Sequence, residues 1–342
     1  MTKNNNEDII ILDHGSGGQL SQELIRNVFL KHFGKSSAAP LADSAILSID
    51  SNKIAMTTDS YVVQPIFFPG GNIGKLAICG TVNDLSVVGA KPCYLSCGFI
   101  IEEGLPISDL ELIVKSMADE ASKCGVTIVT GDTKVVERGS CDKIFINTTG
   151  IGTLMDHCEH ISSGSKIQPG DKIIINGTIA DHGMAVISKR NGLEIEAKIE
   201  SDCAGLNYMI EKILKYSKDI HFMRDATRGG LATVLCECVE NRSFGVKLDE
   251  ENIPVNEAVE GVCELLGFDP LYVANEGKLV AIVSSSIADD VLAIFKKDAL
   301  GKSARIIGEI TSENKSMVVM KTGVGGHRLI SMLSGGQLPR IC

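Results

Sequence analysis

A single polar stretch divides this sequence into two runs in which strand-like and helix-like segments alternate. The stretch reads HCEHISSGSKIQPGD, from His157 to Asp171, and its glycines, proline and charges are typical of a linker. The chain has 342 residues, more than the roughly 250–300 that one hydrophobic core usually serves. The pattern predicts two consecutive α/β domains with mixed sheets, 1–160 and 161–322, followed by a flexible tail, 323–342.

Apolar periodicity locates the elements of both halves. Helical spacing of apolar residues predicts an N-terminal helix over 20–29. Ser108, with Glu111 three residues later, has the spacing of a capping box and predicts the start of a helix that runs to about Lys123. Further strands are predicted at 45–49, 53–58, 94–101, 126–130, 144–154, 172–176, 220–224, 244–248, 278–284, 304–309 and 316–320, and further helices at 73–88, 182–191, 205–217, 229–241, 256–266 and 286–298.

The composition limits the compartments and partners to be expected. The formal net charge is −10, so the chain lacks the basic surplus of proteins that bind nucleic acid or anionic membranes. No apolar run reaches the ~20 residues that span a bilayer, and the polar N-terminus MTKNNNEDII has no secretory core. The 11 cysteines include no CxxC pair, which favours free thiols over a zinc cage or disulfides. We therefore expect a cytoplasmic protein that binds neither nucleic acid nor membrane.

Several acidic residues follow predicted strands or lie in an apolar helix, where they would suit Mg²⁺. Asp59 follows KIAMTT, Asp132 follows VTIVT, and Asp84 lies in GTVNDLS. Carboxylates at strand ends converge at the rim of a sheet, and Mg²⁺ prefers oxygen ligands and bridges phosphates. Lys134 would neutralise a phosphate, and Asn83 is a further polar group whose burial is costly without a partner. For each acid alone, a turn or cap role is the alternative.

No GxxxxGK[ST] motif is present, but other segments have the character of phosphate sites. HGSGG, from His14 to Gly18, offers main-chain amides, and FFPGGNIGK combines glycines with a helix start. RDATRGG, from Arg224 to Gly230, precedes a helix in the same way, and NEGK places Glu276 in a turn before a strand. A tight turn or a helix cap is the alternative interpretation.

The sequence closes on a glycine-rich segment followed by QLPRIC. Glycines loosen the backbone, and Pro339 stiffens only the last step. A frayed terminus is one interpretation, but Cys342 stands last, behind Arg340. From Ser334 to Cys342 an extended chain would reach ~25–29 Å, enough for one thiol to visit several sites.

Taken in order, these motifs resemble one family. HGSGG, TTDSY, FFPGGNIGKLAICGTVNDLS, VTGDTKVV, DHG, RDATRGG, NEGKL and PRIC are similar to the HypE family of hydrogenase-maturation proteins, over residues 9 to 342. NDLS and GDTKVV also resemble the wider superfamily of aminoimidazole-ribotide and selenophosphate synthetases, whereas PRIC is specific to the HypE family. Many superfamily members have paired acids where this chain reads LADSA, so no metal role is assigned to Asp43.

The resemblance implies a two-domain PurM-like fold, a homodimer that pairs through its N-terminal sheets, and ATP with Mg²⁺ at the N-terminal domain. It implies that Cys342 receives a carbamoyl group from the carbamoyltransferase HypF and that ATP-dependent dehydration leaves a thiocyanate. The cyano group would then pass to iron on the HypC–HypD scaffold, for nickel–iron hydrogenase.

Residue analysis and resemblance together predict the site residues. The predicted catalytic residues are Cys342, Glu276, His14 and Lys134. The predicted metal ligands are Asp59, Asp84 and Asp132. The predicted nucleotide-binding residues are Asp59, Asn83, Asp84, Asp132, Lys134, Gly15, Gly17, Gly18, Asp225, Arg228 and Asn275.

Two hypotheses from other classes remain. The chain could be another synthetase of the same fold that phosphorylates a small-molecule amide or selenide, in which case Cys342 is incidental. It could also be a non-catalytic scaffold whose glycine-rich segments are only turns. Removal of Cys342 tests the first hypothesis, and a measurement of ATP binding tests the second.

Overall fold

The computed structural model describes residues 9–15, 19–33, 47–49, 51, 53–193, 198–332 and 340–342. Gly17, Gly18 and Asp43 lie outside these ranges. Within the described ranges, no helix combines the length and the apolar composition needed to cross a bilayer.

The first half of the chain folds around a four-stranded sheet. In chain order, its elements are a 3-10 turn (Leu12–Gly15), α1 (Gln19–Leu24), a π-helical turn (Ile25–Phe29), α2 (Leu30–Phe33), β1 (Ile54–Tyr61), β2 (Phe67–Phe68), β3 (Gly71–Asn72), α3 (Ile73–Val87), β4 (Ala90–Glu102), α4 (Ile107–Cys124), β5 (Thr127–Val136) and β6 (Ile144–Leu154). The sheet order is β1–β6–β4–β5, and only its β4–β5 pair is parallel. Strands β1 and β5 are therefore its opposite edges.

Helix α3 is buried on nearly its whole circumference, which explains its continuous apolar sequence. Asn72 caps the helix, because its side chain accepts hydrogen bonds from the amides of Gly74 and Lys75 at 2.9 and 3.1 Å. The helix packs on β1, β4 and β6 and also contacts the second half of the chain. It therefore carries Asn83 and Asp84 into the junction between the two halves.

The second half folds around a seven-stranded sheet. Its elements are β7 (Lys172–Ile175), α5 (Asp181–Arg190), α6 (Asn207–Tyr216), β8 (Ile220–Asp225), α7 (Gly230–Val239), β9 (Gly245–Asp249), α8 (Glu257–Leu266), β10 (Leu279–Val283), α9 (Ala288–Lys296), β11 (Arg305–Thr311), β12 (Val318–Lys321) and β13 (His327–Ile330), with 3-10 turns at 250–252, 270–272, 285–287 and 299–301. The strand order is β13–β12–β9–β11–β7–β10–β8. The β9–β12 pair is parallel and the other neighbours are antiparallel, so both sheets are mixed, as the sequence predicts.

Most predicted helices and strands are confirmed, with three differences. The predicted capping box is wrong: α4 begins at Ile107, after Pro106 and without a side-chain cap, so Ser108 lies inside the helix, and Glu111 pairs with Lys31. Residues 47–49 of the predicted strand 45–49 have no regular secondary structure. Strand β13, which pairs with β12, forms in a glycine-rich segment where the sequence predicts no strand. The domain boundaries near residues 160 and 322 stay a prediction.

Candidate active site

Residues 340–342, here named the carrier arm, pair with the chain segment that continues β1. The amide of Val62 donates to the carbonyl of Cys342 at 3.2 Å, and the amide of Gln64 donates to the carbonyl of Arg340 at 3.2 Å. The two segments therefore run in opposite directions, although neither is a regular strand where they meet.

Both halves of the chain hold the carrier arm. The Ile341 side chain is 3% exposed and packs in the core of the first half. From helix α5 of the second half, Nε2 of His182 lies 2.9 Å from the Ile341 carbonyl oxygen, and Nη2 of Arg190 donates to the Arg340 carbonyl at 2.6 Å. The arm therefore lies in the cleft between the halves.

The thiol of Cys342 faces a loop of the second half. Arg228 donates from Nε to the Cys342 Sγ at 3.1 Å, and its Nη2 lies 3.9 Å from Oδ1 of Asp59. The next two residues, Gly229 and Gly230, have φ of +73° and +60°, a region that favours glycine and lets the chain turn directly into α7. The loop thereby brings Arg228 to two other predicted site residues, Asp59 and Cys342.

The cleft favours the protonated form of Cys342. Burial raises the pKa of this thiol, Glu276 raises it further, and Arg228 only partly offsets both, so that the pKa is about 12. A free cysteine ionises near ~8.5. Because the thiolate is the nucleophilic form, the docked thiol is a weak nucleophile. The cleft therefore suits chemistry on a group that the sulfur already carries.

Three carboxylates from β1, α3 and β8 act on one another in the same cleft. Burial raises the pKa of Asp225 to about 7, with Asp84 as the next cause. Burial also raises the pKa of Asp84, a hydrogen bond from Thr57 at 2.9 Å opposes this shift, and Asp59 reinforces it. Negative charge of this kind, which Arg224 and Arg228 offset only in part, is relieved by a bound cation. The donors are all oxygens, which fits Mg²⁺.

Glu276 is a buried acid close to the same carboxylates. Its side chain is 3% exposed, and no described residue hydrogen-bonds its Oε1. Burial raises the pKa of Glu276 well above its usual range, and Asp202 and Asp225 raise it further. The sequence-based expectation of a turn carboxylate with a raised pKa agrees with this geometry.

A buried ion pair fixes the loop that carries Glu276. Asp202 accepts hydrogen bonds from Nζ of Lys278 at 2.9 Å and from the amides of Glu276 and Gly277, each at 3.1 Å. Burial acts to raise the pKa of Asp202, but the ion pair with Lys278 outweighs it and holds that pKa below its usual value. Asp202 therefore stays ionised and sustains the raised pKa of Glu276.

Two of the predicted nucleotide-binding residues are engaged by the fold itself. Asn83 accepts from the Leu206 amide at 2.8 Å and donates to the Glu276 carbonyl at 3.2 Å. Asn275 accepts from the Ala180 amide at 2.8 Å and also donates to main-chain carbonyls. Because main-chain groups use both amides, the geometry favours structural roles over the nucleotide contacts that the sequence predicts.

Four other predicted residues line a separate cavity of about 460 Å³ in the first half. His14 and Gly15 of the 3-10 turn and Asp132 and Lys134 of β5 line it, and the remaining walls are mainly apolar. A Cβ at position 15 would come within 2.6 Å of the main-chain nitrogen of Val135, so glycine is needed where this turn meets β5. An apolar volume with a few charged groups is typical of a small-molecule site.

The three predicted metal ligands do not converge within one chain. Asp59 lies on β1 and Asp132 on β5, the opposite edges of the sheet, three strand spacings or ~14 Å apart. The side chain of Asp132 is 75% exposed. Among the described residues, no three His, Cys, Asp or Glu side chains are close enough to hold a metal ion. The assumption that strand-end carboxylates share one rim therefore fails for Asp132.

Four polar residues of this site have no role in the sequence analysis. They are His182, Arg190, Asp202 and Lys278. A local signal existed for two of them, since His182 stands in DHG and Lys278 in NEGK. The roles of the other two depend on contacts between distant segments, which no local pattern records.

Comparison with known proteins identifies the family. Models for AIR synthase related protein match residues 41–154 with the N-terminal domain and residues 168–321 with the C-terminal domain. The carbamoyl dehydratase HypE of Bradyrhizobium diazoefficiens is 48% identical over 332 residues, which cover 97% of this chain and 95% of that protein. The chain belongs to the HypE family of carbamoyl dehydratases.

Solved HypE structures share the fold of this chain. A HypE crystallised in complex with ATP matches with a TM-score of 0.92 at 49% identity, over 97% of this chain and 99% of that one. HypE from a HypE–HypF complex matches with a TM-score of 0.79 at 46% identity, over 92% and 100%. The predicted PurM-like α/β fold, the family and the assignment as an enzyme are thereby confirmed.

Proposed function

We propose that this protein dehydrates a carbamoyl group on the Cys342 thiol to a thiocyanate, with consumption of ATP. The position of the Cys342 sulfur carries the proposal: Arg228 holds it close to Asp59 and Glu276, in a cleft built by both halves. The family assignment supports the carbamoyl chemistry, because its members are named carbamoyl dehydratases.

The proposed reaction breaks one C–O bond. The carboxamide oxygen on Cys342 takes up the terminal phosphoryl group of ATP, which makes that oxygen a good leaving group. The nitrogen loses its two protons, one to a base and one to the departing phosphate, which carries away the oxygen, and S–C≡N remains on the sulfur beside ADP. Glu276 is proposed to accept one of these protons in its carboxylate form, which its raised pKa makes a strong base and which the positive charge of bound Mg²⁺ would favour. His14, at the separate cavity, is the less favoured candidate.

The first half of the chain is the proposed site of ATP. A HypE with 49% identity has been crystallised with ATP, and Lys134 borders the cavity at a position suited to neutralise phosphate. Asp59 and Asp84 would supply oxygen ligands for Mg²⁺, and the phosphates of ATP would supply others. The metal would supply positive charge at the transferring phosphate and lower the pKa of the neighbouring acids.

A homodimer is proposed because a second copy would bring Asp132 and Lys134 close to Asp59. Asp132 and Lys134 are exposed on the edge strand β5, while Asp59 lies on the opposite edge strand β1. In a two-fold dimer that pairs the N-terminal sheets, the β5 edge of one copy can lie beside the β1 edge of the other. The sheet also exposes apolar side chains suited to burial: Ile54, Met56 and Ile100. Asp132 and Lys134 would then act at the Cys342 of the other copy.

HypF is the proposed carbamoyl donor and the HypC–HypD iron scaffold the proposed acceptor of the cyano group. A HypE–HypF complex is known for a protein 46% identical to this chain. Because the docked thiol has a pKa of about 12, loading is proposed to occur when the carrier arm has left the cleft and the thiolate can form. The cytoplasm is the proposed location, in keeping with the unpaired cysteines.

Intact-mass analysis tests the proposed function. The chain is incubated with HypF, carbamoyl phosphate and ATP, and the expected result is the mass gain of one carbamoyl group followed by the loss of one water equivalent, both mapped to Cys342. Cys342→Ser is the matched control and should bind ATP but gain neither mass. Turnover by Cys342→Ser, or a cyano group mapped to another cysteine, would overturn the proposal and favour a synthetase with a small-molecule substrate.

A further inference from the structure

The carrier arm is held beside its thiol by hydrogen bonds to its main chain, by the buried Ile341 side chain and by an ion pair between Arg340 and Asp142. Its three carbonyl oxygens at positions 340, 341 and 342 all accept hydrogen bonds from groups outside the arm. The donors are Val62 N, Gln64 N, His182 Nε2 and Arg190 Nη2. The sulfur, by contrast, receives its hydrogen bond from Arg228. Recognition of the arm is therefore largely separate from recognition of what the sulfur carries.

We propose that His182 and Arg190 are positioning residues that grip the main chain of the carrier arm, so that the cleft receives the arm whatever small group its sulfur bears. This inference rests on the proposed role of Cys342 as a carrier. The docking itself is a property of the chain alone and is measurable without any reaction.

The protonation of His182 follows from its two neighbours. The Ile341 carbonyl can only accept, so Nε2, at 2.9 Å, carries the hydrogen. Burial lowers the pKa of His182, which favours the neutral ring, and Nδ1 then accepts from the Ser201 hydroxyl at 2.7 Å. The ring also packs edge-on against Phe68, with centroids 5.4 Å apart. The Nε2–H group of His182 thus already points toward the position of the arm before the arm binds.

Arg190 links the carrier arm to the segment with which it pairs. Its Nε donates to the Gln64 carbonyl at 2.8 Å, and its Nη2 donates to the Arg340 carbonyl at 2.6 Å. Hydrogen bonds from a charged donor are roughly twice as strong as neutral ones. The arm is therefore pinned at position 340 by Arg190 and at position 341 by His182, directly before its reactive residue.

A loaded arm presents the same carbonyl groups as an unloaded one. A carbamoyl or cyano group on Cys342 changes the sulfur and leaves the acceptors at 340 and 341 unaltered. The same grip therefore serves an arm that enters with a carboxamide and one that leaves with a cyano group. A site that instead recognised the thiol would reject one of these states.

Trypsin cleavage after Arg340 measures docking, because a protease must draw the 340–341 peptide out of its hydrogen bonds. Loss of the Ile341–Cys342 dipeptide is followed by intact mass on the isolated full chain. His182→Phe keeps the ring and its packing but has no donor, so cleavage should be about fivefold faster or more. Arg190→Met should act in the same direction, and it lies on the half-exposed end of α5, where the fold tolerates change.

Two controls separate positioning from general damage. His182→Gln restores a side-chain N–H, and its cleavage rate should return to within about twofold of wild type. Wild-type chain treated with iodoacetamide, which puts a carboxamide-bearing group on sulfur, should be cleaved within about twofold of untreated chain, with Cys342→Ser treated alike to report effects at other cysteines. If both His182→Phe and Arg190→Met are cleaved at the wild-type rate, the proposal that these residues hold the arm is overturned. If alkylated wild type loses its protection from trypsin, the proposal that docking is independent of the group on the sulfur is overturned. Neither result depends on ATP or HypF, so failure of the carbamoyl chemistry is detected separately.

Discussion

The Nε of Arg228 lies 3.1 Å from the Sγ of Cys342, yet the thiol keeps its proton. The same guanidinium is shared with Asp59 at 3.9 Å, and burial together with Glu276 outweighs its charge. Arg228 therefore orients the sulfur without activating it. A docked arm is protected from oxidation, because oxidation, like alkylation, proceeds through the thiolate.

The apparent pKa of Cys342 should exceed the ~8.5 of a free cysteine when it is read from the pH dependence of alkylation. Docking prefers the neutral thiol, so its contribution is complete below ~8.5 and is lost as the pH rises toward the docked pKa of about 12. Arg190→Met loosens the arm and should move the apparent value toward that of a free cysteine. A wild-type value at or below ~8.5 would contradict the docked geometry.

Asp84→Asn should reduce Mg–ATP affinity or turnover at least tenfold, about 1.4 kcal/mol. The fold should survive, because an amide oxygen can still accept the Thr57 hydroxyl. Loss of the charge should also lower the pKa of Asp225 from about 7. Calorimetric titration measures the affinity, with the exposed Asp119→Asn on α4 as the matched control. Unchanged binding together with wild-type turnover would rule out the metal-side assignment.

Glu276→Gln should slow dehydration by roughly 10²- to 10⁴-fold while leaving carbamoyl loading of Cys342 unchanged, because the amide keeps the shape but cannot take a proton. His14→Ala is the comparison variant and should dehydrate at close to the wild-type rate. Single-turnover mass measurements give both rates. If both variants dehydrate like wild type, neither residue is the base.

Glu276→Gln should also change how stability depends on pH. The folded chain holds a proton on Glu276 that the unfolded chain releases above pH ~4.3, so wild type loses stability as the pH rises from there toward the raised folded pKa. The variant lacks this loss. Its melting temperature should exceed that of wild type near pH 8 and approach it near pH 4. A melting temperature below that of wild type near pH 8 would contradict the burial of an acid at this position.

Mixed dimers test whether Asp132 acts across two copies. Asp132→Asn and Cys342→Ser should each be inactive alone. If the site is shared, a mixed dimer contains one site with both native residues, and random exchange should restore about a quarter of wild-type turnover. A site built within one chain restores nothing. Light scattering before mixing confirms that both variants dimerise.

Sequence pattern predicts which residues lie in an element better than it predicts which way they face. Asn83 and Asp84 are neighbours in α3, and the sequence marks both as polar groups in an apolar helix. Successive helical residues point about 100° apart, so Asn83 reaches the second half while Asp84 reaches Thr57 of β1. The direction of each depends on what packs around the helix, which lies far away in the chain.

Strand order is a second quantity that local pattern does not encode. The sequence places Asp59 and Asp132 directly after two strands, whereas they lie inside β1 and β5, which are separated by the two strands between them. The prediction for Cys342 shows the same limit. Its chemistry is suggested by its residue type and its neighbours, whereas the docking of the arm rests on carbonyl groups, which every residue possesses.

The burial of Ile341, which is 3% exposed, sets an upper limit on the time that the arm spends outside the cleft. Burying such a side chain contributes roughly 1.5–3 kcal/mol, and each 1.4 kcal/mol is a factor of ten. From this contribution alone the thiol would be outside for on the order of one to ten per cent of the time, and the hydrogen bonds to the arm shorten that time further. A partner can capture the sulfur only during these brief excursions. At high partner concentration, the rate of delivery would therefore equal the rate at which Ile341 leaves its buried position, and more partner would not increase that rate.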